Sequence, residues 1–181
     1  MERSGPAGKP HAPGAGTPGP RPRKADPAVY SQMRRHALEA QLPQVARDAV
    51  HVVLMDWHVD KGTVTVVAAA DGSASLYLSS GGGYIGGSEK VAAIRDAALH
   101  AVALATSLRF YFQKTETSPL PTLGDVTFYI TTALGVSRAV AAEAKLRAGA
   151  DPLAGLSGAM QRIVTEYRLN SGHVSRTEPK D

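Results

Sequence analysis

A glycine-rich segment is the part of this sequence whose residue types and spacing best suit ligand binding. Residues 81–86 read GGGYIG, which satisfies the pattern G-x-G-x-x-G between a predicted strand and a predicted helix. Glycine amides beside a helix N-terminus bind phosphate or carboxylate groups, and Lys90 is near enough in sequence to add a positive charge. The candidate anion-binding or partner-binding residues are Gly81, Gly82, Gly83, Tyr84, Ile85, Gly86, Gly87 and Ser88.

This segment is open to several interpretations: a turn, a contact with a partner protein, or a small-anion or nucleotide site. Glycines allow the chain to leave a strand and turn into a helix, which favours the turn. Tyr84 and Ile85 at the loop tip form an apolar contact surface if they are exposed. A dinucleotide site is disfavoured, because the preceding strand belongs to a hairpin meander and not to a parallel β-α-β unit. A Walker-type loop fails as well, since Ser88 stands where that pattern requires lysine.

A second polar group, DWHVD at residues 56–60, places Asp56, His58 and Asp60 at alternate positions of a predicted strand. All three side chains then share one face, and carboxylate and imidazole groups are common metal ligands. Residues two apart on a strand are about 6.5 Å apart, and the sequence identifies no further ligands. The pattern therefore favours a polar, solvent-facing strand end over a metal site, with Trp57 and Val59 directed toward the core.

Hydrophobic periodicity predicts the elements that position these residues. A helix begins at Asp26-Pro27 and ends before Pro43, with Arg34 and Arg35 off its apolar stripe. Residues 50–80 form an antiparallel three-stranded meander, because Asp-Gly and similar turn residues separate alternating apolar runs.

The second half of the sequence adds helices and one more strand. A long Ala-rich helix begins with Ser88 as its cap, and VTFYITT at residues 126–132 alternates as a strand does. Two further helices are predicted at about residues 137–148 and 153–169. The apolar stripe of the last helix is Leu153, Leu156, Met160, Ile163 and Tyr167.

This order of elements predicts an α+β fold, in which the meander and at least one further strand form a mainly antiparallel sheet covered by about four helices. A single domain is predicted at residues 27–170, between a disordered basic Pro/Gly-rich tail at 1–26 and a flexible tail at 171–181. The arrangement is similar to small α-β-α scaffolds such as the profilin-like and roadblock-type modules, which bind partners, although the strand count and order differ from the roadblock plan. Shared architecture alone fixes no function.

The composition is typical of a globular protein, with 43% apolar and 20% charged residues in a chain of 181. The net charge is +4, but residues 1–26 hold five basic and two acidic residues, so the rest carries only +1. This distribution argues against a nucleic-acid interface on the folded domain. Cysteine is absent, which excludes disulfides, thiolate nucleophiles and zinc–thiolate sites.

The remaining patterns bear on location and activity. No apolar run has the length of a signal-peptide core or of a membrane span of about 18 residues, so we expect a cytoplasmic protein without a membrane partner. The Ala, Gly, Pro and Arg usage is typical of a GC-rich bacterial source. Since no catalytic motif is present, we expect a non-enzymatic protein-interaction or assembly module that uses no cofactor and binds a protein partner or a second copy. The alternative is a small-molecule or nucleotide-binding protein that uses the glycine-rich loop at residues 81–88.

Overall fold

A computed structural model of the protein describes residues 27–170, and the tails predicted at 1–26 and 171–181 lie outside the described residues. Within this range the strands are β1 (Val52–Val59), β2 (Gly62–Ala69), β3 (Ala74–Leu78), β4 (Gly83–Ile85), β5 (Gln113–Lys114), β6 (Asp125–Thr132) and β7 (Gly135–Ala142). The helices are α1 (Pro27–Glu39), α2 (Ala92–Ser107), α3 (Glu143–Arg147) and α4 (Ala154–Leu169), with a short 3-10 helix at Arg109–Tyr111. The prediction of an α+β fold with a mainly antiparallel sheet is confirmed.

The strands form one sheet in the order β4-β3-β2-β1-β6-β7-β5, and every neighbouring pair is antiparallel. The predicted meander is β1-β2-β3, and β6 pairs with the free side of β1. Helix α1 covers one face of the sheet, while α2 and α4 pack together on the other. The chain therefore folds into a helix layer, a sheet and a second helix layer.

The larger core lies between the sheet and the α2-α4 pair. The stripe predicted for α4 is confirmed, because Leu156, Met160, Ile163 and Tyr167 are fully buried there. Each such side chain contributes about 1.5–3 kcal/mol relative to an exposed one. Helix α2 meets α4 and the sheet mainly with alanines, so its backbone approaches both closely. None of the helices in residues 27–170 has both the length and the apolarity needed to span a membrane.

A smaller core lies under α1, where Tyr30 and Leu38 pack with Leu54 of β1. The prediction that Arg34 lies off the buried stripe is wrong, because its side chain is directed at the sheet and the residue is only 7% exposed. Asp56 lies beneath it on β1 and supplies the charge that makes this burial tolerable.

The helix predicted at residues 137–148 is also wrong. Residues 135–142 form β7, which pairs with β6 from Thr132↔Gly135 to Asp125↔Ala142, and only Glu143–Arg147 is helical. Ala and Arg favour helix locally, but the long ladder with β6 and the burial of Ala139 and Ala141 stabilise the strand.

Candidate functional site

The glycine-rich segment forms a hairpin with β3. The amide of Gly81 donates to the carbonyl of Leu78, and the amide of Leu78 donates to the carbonyl of Gly82, which closes the turn. Gly83 then begins β4 with φ +155, and an added Cβ at this position would lie 2.1 Å from the carbonyl oxygen of Leu76. This close approach of two backbones is one physical reason why the segment contains glycine.

Several backbone amides of the segment are used inside the protein. The amide of Gly86 donates to the carbonyl of Ala74 at 3.2 Å, and that of Gly87 donates to the Glu89 carboxylate at 2.9 Å. A hydrogen bond from the backbone amide of Glu89 itself, and then the one from Gly87, lower the pKa of the Glu89 carboxyl. These internal bonds leave fewer amides for an anion.

The prediction that Ser88 caps the following helix is wrong. Helix α2 begins only at Ala92, its N-cap residue is Val91, and no side chain caps it. Ser88 is itself buried, in a turn between β4 and α2 where the amide of Val91 donates to the carbonyl of Gly87.

The two apolar residues of the segment have different environments. Tyr84 is half-buried and stacks on Tyr167 of α4, with ring centroids 5.1 Å apart and planes 11° apart. The Tyr167 hydroxyl lies 2.6 Å from the carbonyl oxygen of Ala74 and 2.9 Å from that of Gly86, and burial raises its pKa. Ile85 is exposed, so it is the apolar side chain of this segment that a partner can reach.

The three polar residues at alternate positions of β1, Asp56, His58 and Asp60, differ in burial. Asp56 is fully buried, which corrects the expectation of a solvent-facing strand end, whereas His58 is half-buried and Asp60 is exposed in the β1-β2 turn. Trp57 is partly buried against the core on the opposite face, as the alternation predicts. No cluster of three or more metal-ligating side chains occurs in the part of the chain that the structure describes.

Asp56 is the centre of a buried hydrogen-bond network. One carboxylate oxygen accepts bonds from Arg34 Nε at 2.9 Å and from a terminal guanidinium nitrogen at 2.6 Å, and the other accepts from Thr65 at 2.6 Å. Because the Thr65 hydroxyl donates to Asp56, it accepts from the Tyr30 hydroxyl at 2.7 Å. The remaining arm of Arg34 donates to the carbonyl of Ser118 at 2.8 Å. The network therefore joins α1, the sheet and the segment that precedes β6.

Burial raises the pKa values of the two acidic groups at the centre of this network, Asp56 and Tyr30. Desolvation raises the pKa of Asp56 despite the opposing hydrogen bond and charge of Arg34. Desolvation, followed by the Asp56 charge, raises the pKa of Tyr30 to about 12. Arg34 also lies 5.1 Å above the ring of Tyr129, whose hydroxyl donates to the carbonyl of Pro119. Since both carboxylate oxygens are bonded and enclosed, the group supports the fold and offers no accessible base.

A cavity of about 540 Å³ lies at the opposite end of the sheet from the glycine-rich segment. It opens beside β7, between the end of the 3-10 helix and the start of α4. Its walls include side chains from β5, from β7 and from the turn before α4. The lining residues are Tyr111, Gln113, Lys114, Thr115, Arg138, Ala139, Val140, Asp151, Pro152 and Leu153.

The cavity lies where the pairing between β7 and β5 ends. We call the β5 side of β7, which faces away from β6, its outer side. Strand β5 contributes only the pairs Gln113↔Arg138 and Lys114↔Ser137. Residues 139–142 continue β7 without a strand on that side within residues 27–170. We call these residues and the cavity beside them the outer edge.

The direction of the backbone groups follows from the bonds at both ends of β7. On the β5 side, the amide of Thr115 donates to the carbonyl of Val136, whereas on the β6 side the amide of Glu143 donates to the carbonyl of Gly124. Backbone groups of successive residues alternate between the two neighbours of a strand. Both the amide and the carbonyl of Val140 therefore point outward, toward a position that no strand of residues 27–170 occupies.

The outer edge also has a positive charge excess. Neither Lys114 nor Arg138 forms an ion pair within the described chain. Asp151 lines the same cavity, but one of its carboxylate oxygens accepts the amide of Leu153 at 2.9 Å. An incoming group of negative charge is thus electrostatically favoured here.

Exposed apolar side chains lie next to these cations. Val140 is 45% exposed and Tyr111 is 43% exposed, and both line the cavity. Phe110 is 73% exposed, and its ring centroid lies 4.3 Å from that of Tyr111. Outward backbone groups, unpaired cations and exposed apolar surface therefore meet at one place.

Sequence reasoning missed the outer edge because it assigned β7 to a helix. The signal was nevertheless present, since Val136, Arg138 and Val140 alternate with small residues over the length of a strand. Comparison with protein families, with curated proteins and with solved structures found no match to this chain. Its function is therefore inferred from its own geometry.

Proposed function

We propose that this domain is a non-enzymatic protein-interaction or assembly module whose contact surface is the outer edge. The observation that carries the proposal is the end of the β5 pairing at Arg138, which leaves the backbone groups of Val140 directed outward. Unpaired strand edges pair readily with another chain, and proteins normally cover or shorten them. Here the strand continues for residues 139–142 and adjoins a cavity.

The surroundings of the edge support contact with a macromolecule. Tyr111 and Phe110 are aromatic side chains of the kind that is enriched at protein interfaces, and both are exposed. The Asp56 carboxyl, whose pKa is raised by burial, is enclosed in another part of the fold and is not part of this surface. A cytoplasmic setting belongs to this proposal and is supported by the absence of cysteine. The nucleotide-binding interpretation of residues 81–88 stays a prediction.

Site-specific photo-cross-linking tests the contact surface. A photoreactive amino acid replaces Val140 in the full chain, which is expressed in the cells that normally produce it. The matched control places the same amino acid at Arg168, an exposed position on α4. We expect a discrete adduct from position 140 and none from position 168.

The mass of the adduct identifies its composition, either two copies of this chain or one copy with a different protein. Sedimentation velocity of the purified chain measures self-association independently. Identical adducts from both positions, or no adduct from position 140 in a folded chain, contradict the proposal.

A further inference from the structure

Resting on the proposed function, we infer that the outer edge binds an extended peptide segment that adds a strand to β7 and carries an acidic side chain. The outward amide and carbonyl of Val140 supply the backbone hydrogen bonds. Strand addition to an exposed sheet edge is a common mode of peptide recognition, in which the main chain supplies affinity and side-chain contacts supply specificity.

The dimensions of the edge match a short segment. Residues 139–142 extend over about 14 Å at the usual antiparallel rise, which accommodates about four residues of a peptide. A cavity of about 540 Å³ borders the first part of this stretch, at Ala139 and Val140, and Gln113 and Asp151 also line it. The segment would thus occupy the position that β5 leaves empty.

The charges at the edge select the acidic side chain. Gln113 already pairs with Arg138, so the nearest free pairing position on the same face of the sheet is opposite Val140. A side chain there points to the same face as Arg138 and is its diagonal neighbour, at about 7–8 Å. Glutamate and arginine are long enough to meet over that distance. Lys114 adds a second cation to the cavity wall, and neither cation has an ion-pair partner in residues 27–170.

A second copy of this chain fits the edge less well. Direct pairing of β7 with β7 of another copy brings together two sets of Lys114 and Arg138, with only one Asp151 for each set. Like charges on neighbouring strands destabilise a sheet, whereas opposite charges stabilise it. Charge complementarity therefore favours an acidic segment of a different chain.

Selection from a library of displayed random peptides tests the inference, with the purified full chain as the target. We expect the enriched peptides to contain at least about four consecutive residues without proline, because proline cannot donate a hydrogen bond to the edge. Aspartate or glutamate should recur at one position of that stretch. Replacing this acid by its amide in a synthetic peptide should weaken binding by about tenfold.

Variants of the chain locate the binding. Val140→Pro removes the outward amide, and the β6 pairing keeps its bonds because Val140 donates none to it. Val140→Thr is the matched control, since threonine retains the amide and the branched shape. We expect the proline variant to lose peptide binding and the threonine variant to keep it. Arg138→Gln should abolish the preference for the acid.

A second measurement does not depend on whether the Val140→Pro variant folds. Methylation of the backbone nitrogens of the peptide should abolish its binding to the unaltered chain. Peptides that depend on Val140 but show no acidic preference refute the inference and support the proposed function. Peptides unaffected by Val140→Pro, or no enriched peptide at all, also refute the inference, and the cross-linking result then decides the proposed function alone.

Discussion

Replacing Arg34 by methionine should destabilise the domain by an amount that grows with pH. The variant leaves the Asp56 carboxylate fully buried, with Thr65 as its remaining side-chain donor. Breaking a buried ion pair by removing one partner costs about 3–5 kcal/mol, because the other charge is left uncompensated. We expect a loss of this size in the free energy of unfolding at neutral pH.

The pH dependence follows from the effect of Arg34 on the carboxyl. Burial raises the pKa of Asp56 in the folded protein, and the hydrogen bond and charge of Arg34 partly oppose that rise. Removing Arg34 therefore raises this pKa further. A group with a raised folded pKa binds its proton more tightly in the folded state, so its contribution to stability declines as pH rises.

The extra penalty accumulates between the folded pKa of Asp56 in the natural chain and its higher folded pKa in the variant. Its slope is at most about 1.4 kcal/mol per pH unit, the value for one proton. Below that window both proteins hold the proton, and the variant loses only the packing and hydrogen bonds of Arg34. The penalty should thus be smallest in acid and largest above the window.

Equilibrium urea unfolding of the full chain, from about pH 4 to about pH 9, measures this difference. The control is the double variant Arg34→Met with Asp56→Asn, which keeps an acceptor for Thr65 but has no proton to titrate. Relative to the natural chain, only the single variant should show the rising penalty. Equal pH dependence of the single and double variants would refute an uncompensated Asp56 charge. If the single variant is unfolded at neutral pH, recovery of its circular dichroism in acid is the readout.

Other changes test separate parts of the fold. Thr131→Val should stabilise the domain by about 1 kcal/mol in urea unfolding, because the buried Thr131 hydroxyl has no partner among residues 27–170 and valine preserves its shape; lower stability would contradict this. Gly83→Ala should lower the free energy of unfolding by about 2–4 kcal/mol, because the added Cβ meets the backbone of Leu76. Gly158→Ala, on the exposed face of α4, should instead raise it by up to about 1 kcal/mol. Equal effects of the two substitutions would refute the steric argument. A nucleotide or phosphate that binds residues 81–88 would raise the free energy of unfolding by about 2.7 kcal/mol at a concentration of a hundred times its Kd. A melting temperature that stays unchanged with a set of nucleotides and phosphates would contradict ligand binding by these residues.

The meander and the helices α1 and α4 were predictable because their signals are local. Asp-Gly between alternating runs specifies a hairpin, and apolar residues at helical spacing specify the buried face of a helix. Strand β7 was not predictable in the same way. Its alanines and Arg138 are good helix formers, and the decisive stabilisation comes from pairing with β6. Ser88 failed as a cap because residues 88–90 form a turn and α2 begins only at Ala92.

The buried pair of Arg34 and Asp56 shows a second limit of local reasoning. Considered alone, each residue is predicted to be solvent-exposed, because charged side chains are almost never fully buried without a partner. They are 22 positions apart, and only the packing of α1 over β1 brings them together. A single sequence shows polar residues in two elements, but it does not show that they satisfy each other.

The two ends of the sheet differ in a way that bears on function. At one end β4 is three residues long and is flanked by glycine turns, and Tyr84 holds it against α4. Such a short edge offers little to another strand. At the other end β7 continues beyond β5, and Lys114 and Arg138 lie beside the unpaired stretch. Like charges on neighbouring strands destabilise a sheet and opposite charges stabilise it. Under the proposed function, Lys114 and Arg138 should therefore disfavour pairing with a second copy and favour an acidic strand.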